Sequence, residues 1–126
     1  MIRVLVVDDH PVLRAGLEAV LRSEPGFVCV GTASDGHELV VMLRRTRPDV
    51  VLLDWHLGDD DGVALCRMLR AEAAPPEVVL YTANAQNDLL SAAEAAGAHA
   101  VVEKGADIDH LFDALRLAVR GRREAA

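Results

Sequence analysis

The segment Val4-Leu5-Val6-Val7-Asp8-Asp9-His10-Pro11 decides how the chain is read, because an apolar run turns at once into two carboxylates and a proline. An unbroken Val/Leu run suits a strand buried on both faces. Pro11 suits the first turn of a helix, where a missing N–H leaves nothing unpaired. In that helix Leu13, Leu17, Val20 and Leu21 share one face, while Arg14, Glu18 and Arg22 share another. The opening is a strand, an acidic corner and an amphipathic helix.

The same unit recurs outward from this segment. Strands are expected at residues 2–7, 27–32, 50–54, 78–82 and 100–103, and helices at residues 11–22, 36–46, 62–72, 87–96 and 107–120. Asp35, Asp61 and Asp107 stand where they can cap helix starts, Pro48 follows a helix, and Gly97 suits a left-handed helix end. Strict alternation predicts an α/β domain: a doubly wound parallel sheet with right-handed crossovers and helices on both faces. Residues 1–120 form the expected domain, and residues 121–126 read as a polar tail or the start of a truncated linker.

Composition agrees. The chain has 126 residues, 52% of them hydrophobic, which is enough for one core of its own. Its aromatics are Phe27, Trp55, Tyr81 and Phe112, so Val, Leu and Ala must fill that core. A formal net charge of -7 argues against a basic face for nucleic acid or an anionic membrane. Cys29 and Cys66 sit in apolar segments with no partner at metal-ligand spacing, and reduced buried thiols are expected. A soluble, cytoplasmic protein is expected.

Polar groups at the carboxyl ends of parallel strands converge on one edge, where such folds bind ligands. Here those ends carry Asp8 and Asp9, Asp54, Thr82 with Ala83, and Lys104. Two like charges about 4 Å apart repel by roughly 4 kcal/mol at an effective dielectric near 20, so three carboxylates need cationic balance. Lys104 supplies one charge, and a hard, oxygen-seeking ion such as Mg²⁺ can supply the rest. A carboxylate so balanced can attack a phosphoryl group and become an acyl phosphate. Thr82 can donate to one phosphoryl oxygen and Lys104 can pair with another. Each residue alone has a bland reading as a cap or turn; the joint pattern at four strand ends does not.

These pieces, together with Pro48-Asp49 ahead of the third strand, Asp61-Gly62 after it, and Gly97-Ala98 ahead of Lys104, resemble the receiver domain of two-component response regulators over almost the whole chain. The resemblance implies a flavodoxin-like five-stranded sheet of order 2-1-3-4-5, phosphorylation on Asp54, and Mg²⁺ held by Asp8, Asp9, Asp54 and the backbone carbonyl of His56. It implies Thr82, Ala83 and Lys104 as the phosphoryl-binding and switch residues, and a sensor histidine kinase as phosphodonor. Asp-Asp-His-Pro, and Lys104-Gly105-Ala106 without a proline after the lysine, are similar to the LuxR/NarL-type subgroup. That likeness implies a missing C-terminal DNA-binding domain, transcription regulation and a possible homodimer, with no nucleic acid or membrane bound by this domain. No turnover enzyme is expected; a degenerate or stand-alone receiver acting as an interaction module is the alternative.

Several positions depart from the pattern. Receivers usually carry Tyr or Phe three residues before the lysine, and this chain has Val101. Leu57-Gly58 replaces the common Met/Leu-Pro, which suggests a more mobile loop after Asp54. Asp59, Asp60 and Asp61 lack the alternate spacing of a calcium loop and read as a solvated acidic stretch with Asp61 as cap. His10 and His56 flank the site without a cysteine or second histidine at zinc spacing, so zinc is not expected. His99 reads as a turn residue, Tyr81 as packing, and Trp55 is expected at the rim of the site. A haloacid-dehalogenase-type phosphatase would need an acid at position 56, and a flavodoxin-like cofactor site would need a Ser/Thr/Gly-rich loop where Asp8-Asp9 stand.

Overall fold

The computed structural model describes residues 1–125. In chain order its elements are β1 (Ile2–Val7), α1 (Pro11–Ser23), β2 (Phe27–Ala33), α2 (Gly36–Thr46), β3 (Val50–Asp54), β4 (His56–Leu57), β5 (Asp60–Asp61), α3 (Gly62–Arg70), β6 (Glu77–Thr82), α4 (Asn87–Ala95), β7 (Ala100–Glu103) and α5 (Ile108–Ala125). The large sheet is all parallel in the order β2-β1-β3-β6-β7. Counting its five strands alone, this is the expected 2-1-3-4-5.

Alternation along the strands divides the core into two layers. Val4, Val6, Val50, Leu52, Val79 and Val102 face α1 and α5. Leu5, Val7, Val51, Leu53, Val78 and Leu80 face α2, α3 and α4. The central strands are therefore covered on both faces, as their uninterrupted apolar sequences require. On the first face the rings of Phe27 and Phe112 lie 5.3 Å apart, with the Arg116 guanidinium stacked over both.

Local chemistry sets the element limits. The Asp35 carboxylate accepts from the Glu38 amide at 2.8 Å, and the Glu38 carboxylate accepts from the Ser34 amide at 2.9 Å, a reciprocal start for α2. Asp61 accepts from the Val63 amide at 3.0 Å and Asp107 from the Asp109 amide at 3.1 Å. Gly97 takes φ +92 after α4, as its position requires.

Three expectations need correction. The stretch after Asp54 contains a hairpin, β4–β5, with Gly58 at φ +57 between its strands. It is pinned from two sides, because the Gly58 amide donates to Asp9 Oδ2 at 2.9 Å and Asp60 Oδ2 accepts from the Gly36 amide at 2.9 Å. Trp55 is buried in the second core layer with 4% exposure and does not stand at the rim. The hairpin turns the chain back over the sheet and carries Leu57 into that core too. Finally, α3 stops at Arg70, short of residue 72, while α5 continues past Arg120 to Ala125. Among the described residues, no helix is long and apolar enough to cross a membrane.

Candidate phosphoacceptor and metal site

Asp8 directly follows β1, and its amide donates to the Ala33 carbonyl at 3.0 Å, which extends the pairing of β1 with β2 by one bond. Asp54 is the last residue of β3 and Thr82 the last of β6. Lys104 follows β7 and its amide donates to the Thr82 carbonyl at 2.7 Å. Parallel pairing without large offsets brings these ends level, and the side chains meet above the sheet edge.

Asp8, Asp54 and Thr82 are the buried polar residues of the described chain, 1%, 3% and 3% exposed. The Lys104 ammonium stands 3.1 Å from Asp54 Oδ2 and 3.9 Å from Asp8 Oδ2. The His56 amide donates to Asp54 Oδ1 at 3.3 Å. Asp9 is half-buried, and its Oδ2 is held by Gly58. The Thr82 hydroxyl accepts from the Asn84 amide at 3.3 Å, while Ala83 is exposed beside it. Burial raises the Asp54 carboxyl above its ordinary range; Lys104 opposes this, and the nearby Asp8 reinforces it.

One oxygen of each carboxylate, Asp8 Oδ2, Asp9 Oδ1 and Asp54 Oδ2, is buried without a hydrogen-bond partner among the described residues. Lys104 brings one charge to the Asp54 and Asp8 oxygens, and three such buried atoms remain costly without a further cation. An all-oxygen donor set of this kind fits Mg²⁺. Asp8, Asp9 and Asp54 thus come together as expected, with Thr82 and Lys104 at the same edge, and His56 touches the site through its backbone amide.

Two further contributors stand at the site: His10, which the sequence placed at its flank and discounted as a zinc ligand, and Arg14, which it did not single out. The ring Nδ1 of His10 lies among the three carboxylates, within the same 4.8 Å cluster of possible ligand atoms. Its place directly after Asp9 was the available signal. The Arg14 guanidinium donates to the Asp8 carbonyl at 3.0 Å, one helical turn into α1, and no local pattern announces that contact.

The family model described as the response regulator receiver domain matches residues 4–116. The chain belongs to this family. The receiver is 34% identical over 121 residues to the transcriptional regulatory protein LiaR of Bacillus subtilis, covering 96% of this chain and 57% of LiaR. It therefore spans little more than half the length of that relative. Among solved structures it is similar to a LuxR-family two-component response regulator from Aurantimonas, with a TM-score of 0.88 and 29% identity, covering 94% of this chain and 85% of the other. It also matches the signal receiver domain of NarL from Mycobacterium tuberculosis, with a TM-score of 0.82 and 28% identity, covering 91% and 96%. The receiver's relatives are thus of the LuxR/NarL type.

Proposed function

We propose that this receiver is a phosphorylation-controlled switch whose phosphoacceptor is Asp54. The observation that carries the reading is the buried Asp54 carboxylate at a strand end, with Oδ2 lacking a hydrogen bond and 3.1 Å from Lys104. Asp8, Asp9, Asp54 and the His56 carbonyl would hold Mg²⁺, which supplies positive charge against carboxylates and phosphoryl oxygens alike. An Asp54 oxygen forms the O–P bond as the donor's N–P bond breaks, with that bond's electrons passing to the leaving nitrogen. Lys104 pairs with one phosphoryl oxygen. The Thr82 hydroxyl and the backbone at Ala83 engage another.

A sensor histidine kinase is the donor in this reading, and the receiver undergoes self-limited phosphorylation with no turnover of an outside substrate. LiaR carries the description of a transcriptional regulatory protein, and regulation of transcription through a C-terminal DNA-binding domain is proposed for this chain by analogy. The free thiols Cys29 and Cys66 support a cytoplasmic setting.

The test is intact-mass measurement after exposure to acetyl phosphate and Mg²⁺. One phosphoryl mass is expected in the wild type and none in Asp54→Ala. Full labelling of Asp54→Ala would overturn the assignment.

A further inference from the structure

We infer that His10 supplies an imidazole ligand to the divalent cation site, which makes it a mixed nitrogen–oxygen site favouring a first-row transition ion over Mg²⁺. The inference rests on the metal reading above. His10 Nδ1 lies 3.0 Å from Asp9 Oδ1, 3.2 Å from Asp8 Oδ1 and 3.9 Å from Asp54 Oδ2. Ligands around one ion at about 2.0–2.2 Å stand at most some 4.4 Å apart. These separations therefore match donors sharing a cation, with only small adjustments.

Hydrogen bonding alone does not account for the arrangement. As a donor, Nδ1 has one proton for three neighbouring carboxylates, while Asp9 Oδ1 and Asp54 Oδ2 go without a hydrogen bond. Asp8 and Asp54, both more than nine-tenths buried, each aim an oxygen without a hydrogen bond into the same cluster, where Lys104 at 3.9 and 3.1 Å gives the two a single shared charge. A shared ion would satisfy these atoms together.

The backbone holds His10 where its ring can reach. Its amide donates to Asp8 Oδ1 at 2.7 Å, and it is the N-cap of α1 directly before Pro11. Its side chain is 67% exposed, so the ring closes the cluster from the solvent side. To ligate, Nδ1 offers its lone pair and the ring proton resides on Nε2. Imidazole suits Co²⁺, Ni²⁺ and Zn²⁺, whereas Mg²⁺ favours oxygen donors.

Calorimetric titration of the whole chain with Co²⁺ and, separately, with Mg²⁺ tests this in the wild type, His10→Ala and Asp9→Asn. His10→Ala should weaken Co²⁺ by at least about tenfold. It should change Mg²⁺ affinity by less than about twofold. Co²⁺ should also abolish the His10 ring signals in ¹⁵N-histidine spectra. Equal weakening of both ions by His10→Ala, or no weakening of either, would overturn the inference. So would Co²⁺ affinity that survives intact in Asp9→Asn, since the ion would then sit on other histidines. Failure of Mg²⁺ to bind the wild type would overturn the metal reading itself, and this inference with it.

Discussion

Lys104 Nζ stands 3.1 Å from Asp54 Oδ2, although one residue follows β7 and the other ends β3, with β6 between them in the sheet. The backbone of Lys104 is tied to Thr82 on that intervening strand, so the ammonium reaches across β6 to the phosphoacceptor. Lys104 also passes 5.7 Å from the centre of the Tyr81 ring. The pair places a single positive charge against a carboxylate that burial would otherwise leave costly.

That balance is incomplete, which gives a pH signature in the metal-free protein. Burial raises the Asp54 carboxyl above its ordinary value of 3.8 in spite of Lys104. Between the ordinary and the raised value, the folded chain keeps a proton that the unfolded chain has released. Stability from this group is thus present at low pH and is lost as pH rises through that window. Urea unfolding of wild type and Asp54→Asn with chelator present, from about pH 4 to pH 8, should show their difference moving in favour of the variant as pH rises, then levelling. A difference that stays constant across the range would count against a raised Asp54.

Two glycines should answer to alanine with opposite signs. A Cβ at Gly62 would stand 2.7 Å from the carbonyl oxygens of both Asp54 and Trp55, and backbone cannot move aside cheaply. Gly62→Ala should cost about 1–3 kcal/mol, as overpacking does. It should also slow phosphorylation, because the displaced backbone carries Asp54. Gly16 is exposed in α1 with nothing within 4 Å of a built Cβ. Gly16→Ala should stabilise by about 0.5–1 kcal/mol. Chemical denaturation of both variants checks the pair, and a neutral Gly62→Ala would refute the close approach.

Trp55 offers an optical readout of a buried position. Its amide donates to the Tyr81 carbonyl at 3.0 Å, and its own carbonyl accepts from the Gly62 amide at 2.8 Å. The folded indole should be shielded from iodide, with quenching restored in urea. Being peptide-bonded to Asp54, it should still change emission when Mg²⁺ binds, and Asp9→Ala should remove that change. Native emission quenched as readily as in the unfolded chain would contradict its burial.

Much of the fold was legible because burial leaves a periodic trace. The runs at Val4–Val7 and Val50–Leu53 could only be strands covered on both sides, and the three capping aspartates marked helix starts within a residue. The extra turn at the end of α5 was less legible, since Gly121 and the charged residues after it resemble the end of a helix as much as its continuation. The β4–β5 hairpin was hidden for a related reason: Asp59, Asp60 and Asp61 look like solvated loop, yet Asp60 bonds the Gly36 amide from a distant element. Val101, where receivers usually carry an aromatic, is half-buried against the second core layer.

The sequence by itself determined the order of elements, the parallel sheet and the carboxylates at its strand ends, because apolar period and strand-end chemistry are written locally along the chain. Only the tertiary structure decided that Trp55 turns inward and that His10 Nδ1 comes within 4 Å of three carboxylates. It also decided that an oxygen on each of those carboxylates lacks a hydrogen bond among the described residues. Those outcomes depend on how strands far apart in sequence align and on which backbone amides remain free beside them, and no local pattern carries that information.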